Sequence, residues 1–177
     1  AEQKRLYDQD KAGGFINNWL NYFREVDNPL REYATLFWHE HIPCGSRGSR
    51  TEVHLQQNQL TFELYRKHAL GDLASFLKAY YRNPSCMYFL DIHRSYKENP
   101  NENFARELME LYTLGEGNYT LDDVKEVAKA FTGLHFDPAD YSQASYFVEA
   151  EFDSSEKNIL GHRGHFGADD VIDIILK

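Results

Sequence analysis

The chain has 177 residues, 42% of them apolar and 27% charged, enough to bury one domain-sized core in ordinary globular proportions. Nineteen basic residues against 28 acidic ones leave a formal net charge of −9. That disfavours nucleic acid and anionic lipid as partners, since both are met by a basic face. No apolar run reaches the roughly 18 to 20 residues that span a bilayer, so no transmembrane segment is expected.

Residues 14–26 read as a helix, with Phe15, Trp19, Tyr22 and Phe23 at helical spacing. Asn28 is placed to cap a second helix and Pro29 to open it; that helix runs to about Ile42, where Pro43 stops it. Residues 44–50, rich in Gly, Ser and Arg, form a loop. A long helix follows over 51–70 and ends at Gly71. Residues 72–82 make another, and Asn83-Pro84 opens a short one to Leu90. Residues 91–99 are polar and irregular. Asn99, Pro100 and Glu102 then have the spacing of a cap, a first-turn proline and a capping-box acid, for a helix that continues to Leu114 and ends at Gly115. Thr120 caps the next, with Asp122 and Asp123 in its first turn, and Gly133 closes it. Residues 146–152 alternate as one arm of a β-hairpin. Residues 161–167 form a loop, and 169–177 begin a final helix that has no cap at its end, as though the chain were a piece of a longer protein.

The aromatic content is high, with 12 Phe, 12 Tyr and 2 Trp, and so many tyrosines suit a wet cleft or a partner surface as well as a core edge. Cys44 and Cys86 form no CxxC pair and read as two isolated buried thiols, able to join only if the fold brings their Cα atoms within about 7 Å.

Motifs for phosphate, dinucleotide, calcium, zinc-protease or serine-hydrolase chemistry are absent. Gly161, Gly164 and Gly167 lack the Lys and Ser/Thr of a phosphate loop, and Thr120 in Asn118-Tyr-Thr120 is better used as a cap than as a glycosylation signal. The informative signal is polar residues on apolar helix faces. Beside Leu30, Tyr33, Ala34, Phe37 and Trp38 falls His41, while His39 points nearly opposite. Glu107 falls among Phe104, Leu108 and Leu111, with Arg106 and Glu110 at the edge. Asn58, Gln59 and Arg66 share a face with Leu55, Phe62, Tyr65 and Ala69. A carboxylate buried alone costs several kcal/mol, so Glu107 should meet Arg66 or His41. Two readings stay open: a polar network with an Arg66–Glu107 ion pair that fixes helix register, or a site where His41 and Glu107 bind metal or act as an acid/base pair. Asp91 with His93, His135 with Asp137, and His162 with His165 are weaker pairs of the same kind. Arg47 and Arg50 could hold an anion before a helix N-terminus.

Several segments together resemble one large bacterial family, called domain of unknown function 1800. They are Leu36-Phe-Trp-His-Glu-His41, Gln57-Asn-Gln59 with Arg66-Lys-His-Ala-Leu-Gly71, and Asn99-Pro-Asn-Glu-Asn-Phe-Ala-Arg-Glu-Leu-Met-Glu-Leu-Tyr-Thr-Leu-Gly115. Gly117-Asn-Tyr-Thr120, Ala130-Phe-Thr-Gly133 and Lys157-Asn-Ile-Leu-Gly161 continue the match over roughly residues 30 to 177. The resemblance implies a longer intact protein and a secreted sulfatase-like neighbour, hence the periplasm or cell envelope, but no mechanism. Many relatives carry a His just before the Asp of the strand-to-loop segment, where this chain has Phe152-Asp153.

The expectation is therefore a mainly α single domain, an irregular multi-helix bundle with a small β-hairpin near the C-terminal end. Two functions compete. One is a cell-envelope enzyme using His41, Glu107 and Arg66, with His39, His41, Glu107 and Glu110 as ligands for a divalent metal. The other is a non-catalytic assembly or binding module for a partner protein or glycan, marked by exposed tyrosines.

Overall fold

In the computed structural model, which describes residues 12–45 and 51–177, eight α-helices and two small antiparallel strand pairs make a mainly α fold. Asn28 Oδ1 accepts from the Leu30 amide at 3.2 Å, and α2 (Leu30–His41) follows α1 (Ala12–Glu25) across this turn. α3 (Thr51–His68) packs along α2, and α4 (Leu73–Tyr80) starts where Asp72 Oδ1 accepts from the Ser75 amide at 2.9 Å. Asn83 caps α5 (Pro84–Phe89) with Pro84 in its first turn, the expected arrangement of a cap followed by a proline that needs no amide partner.

The next helix begins two residues later than its sequence suggests. Asn99 pairs with Tyr96 in an isolated bridge. The cap is Asn101, whose Oδ1 accepts from the Asn103 amide while its own amide donates to Ser95 Oγ. Pro100 thus ends the bridge rather than opening α6 (Glu102–Glu107), and Glu102 pairs with Arg106 at 2.8 Å instead of reaching back to a cap. α6 runs directly into one wide π-helical turn, Leu108–Thr113. Its bonds skip a residue: the Leu114 amide reaches Met109 O at 3.0 Å, and Thr113 Oγ1 reaches Leu108 O at 2.5 Å. The widened turn buries Leu108, Met109 and Tyr112 and leaves Leu111 more than half exposed, so the expected Phe104–Leu108–Leu111 stripe is rotated at its end.

α7 (Leu121–Ala130) begins with a full capping box, Thr120 accepting from the Asp123 amide and Asp123 from the Thr120 amide. The other oxygen of Asp123 accepts from the Leu160 amide at 2.7 Å. That bond pins the hairpin β3 (Lys157–Ile159) and β4 (His162–Gly164) to the start of α7. Residues 161–167 are therefore strand as well as loop. The two-residue turn Leu160-Gly161 has positive φ at both positions, 50° and 82°, the twist that suits a tight hairpin. Before it, the expected strand over 146–152 shrinks to β2 (Tyr146–Phe147), which pairs with β1 (Leu134–His135), and Glu149–Glu151 turns as a 3-10 helix. α8 (Ala168–Ile175) closes the fold against α4 and α7.

One continuous apolar cluster joins α3 to α8 through Tyr65, Phe76, Tyr80, Met87, Phe104, Leu108, Val127, Phe131 and Ile172. α2 meets this core with an unexpected face. Glu32, Thr35 and Ile42 are buried, whereas Leu30, Tyr33 and Phe37 of the expected apolar stripe are each more than half exposed. Glu32 can turn inward because α1 and α3 supply its partners, described below. No helix among the described residues is long and apolar enough to cross a membrane.

Candidate functional site

The sequence nominated a shared site for His41, Glu107 and Arg66, with His39 and Glu110 beside them; in the structure His41, His39, Arg66 and Glu110 each make contacts outside that set. α2 stays helical through His41, the Ile42 amide still bonding Trp38 O at 2.9 Å. His41 is exposed, stacked on the Phe37 ring at 5.6 Å. His39 is also exposed and meets the edge of Tyr65 at 5.5 Å. Among the described residues, no group of three or more His, Cys, Asp or Glu side chains could hold a metal ion. His39, His41, Glu107 and Glu110 thus do not make the donor set a divalent metal needs.

Arg66 has a different acid from the one expected. Its Nε donates to Glu32 Oε1 at 2.8 Å, its terminal nitrogen to Tyr22 Oη at 3.1 Å, and its guanidinium lies 5.3 Å from the Tyr22 ring centre. Glu32, only 1% exposed, also accepts from Trp19 Nε1 at 2.9 Å. Three helices therefore lock on one carboxylate, the register device expected for Glu107 but built on Glu32. Glu32 carried no inward signal in the sequence, because its position follows from which face of α2 the aromatic residues of α1 leave available.

Glu107 is half-buried on the last residue of α6. Burial pushes its carboxyl up, and the negative charge of Glu110 pushes the same way. No hydrogen bond or ion pair joins Glu107 to the described residues, while Glu110 accepts from Tyr119 Oη at 3.1 Å. The other nominated pairs also separate. His93 Nδ1 faces Met87 O at 3.2 Å and its ring stacks on Tyr88, while Asp91 pairs with Arg94 at 3.5 Å. His135 Nε2 meets Glu151 Oε2 at 2.5 Å rather than Asp137. His165 turns to Ser154 O, and His162 is exposed. Arg47 and Arg50 lie outside the described residues.

A cleft that the sequence did not reveal lies where α4 ends, α8 begins and the β1–β2 hairpin folds over them. It encloses about 340 Å³ between Tyr81, Arg82, Leu134, Tyr146, Phe147 and Asp169. Arg82 grips Asp169 with both terminal nitrogens at 2.8 Å, and Tyr81 Oη donates to the same carboxylate at 2.9 Å. The guanidinium also lies 4.4 Å from the Tyr81 ring centre. Arg82 first, then the Tyr81 hydroxyl, hold the Asp169 carboxyl below its usual range despite partial burial. The Tyr81 hydroxyl is correspondingly held far above its ordinary value, by burial first and by this bond next. At the rim, Tyr146 and Phe147 are more than half exposed. Tyr146 continues outward into a surface row, with His135 5.8 Å away and Tyr96 a further 5.8 Å on. No single segment could announce this cleft, since Tyr81 and Asp169 lie 88 positions apart.

A family model described as a protein of unknown function (DUF1800) matches residues 2–177. No curated protein and no solved structure matches the chain.

Proposed function

The chain belongs to the DUF1800 family, and we propose that it acts there as a binding module whose Tyr81–Arg82–Asp169 cleft takes a polyhydroxylated ligand, a glycan. The supporting observation is the joining of two kinds of surface in one concavity. Exposed aromatic faces of Tyr146 and Phe147 offer apolar platforms for the C–H faces of a sugar ring. A planar Arg–Asp pair, fixed in advance by two hydrogen bonds and still half exposed, offers donors and acceptors at the spacing of neighbouring hydroxyls. A concave, mostly apolar pocket with a few convergent polar groups is the usual form of a small-ligand site. Because the polar pair is already oriented, little side-chain order remains to be lost on binding.

Calorimetric titration with neutral oligosaccharides of glucose, galactose and N-acetylhexosamine tests this reading. At least one class binds, and Tyr146→Ala weakens it by about tenfold or more with an unchanged melting temperature. A panel in which nothing binds, or binding indifferent to both Tyr146→Ala and Arg82→Lys, removes the proposal.

A second reading retains the acid. Glu107, raised by burial and by Glu110 and without a partner among the described residues, has the environment of a general acid. Its carboxyl midpoint, followed by NMR, should fall when Glu110→Gln removes the neighbouring charge. An unmoved midpoint would show that the two acids do not act on each other.

A further inference from the structure

Three rings form a row that leaves the cleft along the β1–β2 hairpin and ends on the segment before α6. The ring centre of Tyr146, which lines the cleft, lies 5.8 Å from that of His135, and His135 lies 5.8 Å from Tyr96, with successive planes tilted by 31° and 42°. Tyr146 is 55% and Tyr96 38% exposed, while His135 is recessed between them. The row is built on fixed backbone. The strand register sets His135 directly opposite Tyr146, so the two side chains share one face of the hairpin. Both neighbours of Tyr96 are tied to the same part of the chain: Ser95 O accepts from the Gly133 amide at 3.0 Å, and the Lys97 amide donates to Glu151 O at 2.9 Å. Glu151 also fixes the middle ring, its Oε2 meeting His135 Nε2 at 2.5 Å. A carboxylate there keeps a proton on Nε2 and leaves Nδ1 as an acceptor; Nδ1 makes no hydrogen bond to the described residues.

We propose that this row extends the cleft into a track for a linear, neutral, β-linked oligosaccharide of at least three units, one to each ring; the inference rests on the cleft's being a glycan site. The spacing of the rings is close to the advance of one pyranose along an extended β-linked chain, so consecutive units can each meet a ring. An α-linked chain coils away from an extended row. Each ring offers a sugar the same kind of contact, a π face under its C–H bonds, and the Nδ1 acceptor of His135 adds a polar contact for a hydroxyl midway along the track. Glu151 beside the middle ring and the net charge of −9 repel uronic or sulfated chains. Because the backbone already holds all three rings, each further unit binds with little new ordering of the protein.

The test titrates oligomers of β-1,4-linked glucose and of β-1,4-linked N-acetylglucosamine, one to six units long, into the wild-type protein and its variants, with α-1,4-linked glucose oligomers as the coiled control. In one β-linked series the affinity should rise by about three- to tenfold for each added unit up to the third and then level. Tyr96→Ala should remove the gain from the third unit and leave the one- and two-unit sugars bound as before. Tyr96→Phe, which keeps the ring, should retain that gain. Tyr146→Ala should weaken every length. Affinity that ignores chain length, an equal gain in the α-linked series, or Tyr96→Ala that binds every length as the wild type does overturns the track, even where a loss in Tyr146→Ala still supports the cleft. Binding indifferent to Tyr146→Ala, or no binding at any length, removes the cleft reading and the track with it.

Discussion

Glu32 and Glu107 are the same side chain in two environments, and the difference lies in their partners. Glu32 gives up water for a guanidinium, an indole N–H and a fully enclosed site. Removing it takes the buried carboxylate from both Arg66 and Trp19, while Arg66 keeps its bond to the Tyr22 hydroxyl. Glu32→Ala should therefore cost about 3–5 kcal/mol in urea unfolding, and adding Arg66→Met should recover part of that loss. A cost near zero would mean that Arg66 finds water or another acid. Glu107 has no such partner among the described residues. Its folded-state carboxyl binds a proton more tightly than in the unfolded chain, so its own contribution to stability is fully present below the ordinary carboxylate range and is lost as pH climbs through the raised value. Glu107→Gln should flatten this acid-side slope and leave the protein at least as stable at neutral pH. Melting curves between pH 4 and 7 check it, and parallel slopes for the two proteins would contradict it.

The elements were legible where local chemistry decides them. Proline and asparagine at helix starts, the Thr120 cap and the glycines after α6 and α7 act on their own neighbours, and these boundaries agree with the structure to within a few residues. Errors arose where contacts outside the expected helical pattern decided. The Tyr96–Asn99 bridge took the residue expected to cap α6, and the π-helical turn rotated the last part of that helix by one bond. The β3–β4 hairpin is held by α7, not by its own short strands. Asp123→Ala breaks the capping box and the tether to Leu160 together and should cost about 1–3 kcal/mol, read from urea midpoints. A loss no larger than for an ordinary exposed aspartate would deny the tether. Gly133 adopts φ +75°, and a Cβ there would stand 2.8 Å from Val148 O. Gly133→Ala should cost roughly 2–4 kcal/mol and shift the β1–β2 hairpin that roofs the cleft. A variant of wild-type stability would show that the backbone relaxes freely.

Across the whole molecule, composition and helical periodicity were enough to specify a mainly α fold with a small amount of β structure near the C-terminal end. They were not enough to place its candidate sites. Periodicity groups Leu30, Tyr33 and Phe37 on one face of α2, but it cannot say that Glu32 will be the residue turned inward. That choice depends on Trp19 in one neighbouring helix and Arg66 in another. The cleft depends still more on long-range assembly, since α4, α8 and the β1–β2 hairpin each supply one wall, and the five nominated site residues lie elsewhere. Its proposed ligand follows from that assembly: aromatic platforms at the rim and a pre-set Arg–Asp pair within. The most direct measurement is a crystal structure of the protein soaked with the shortest oligosaccharide that binds in titration. The account predicts a sugar ring lying on Tyr146 or Phe147, with its hydroxyls within hydrogen-bond distance of Arg82 and Asp169; a sugar bound on any other surface, with this cleft holding only water, would contradict it.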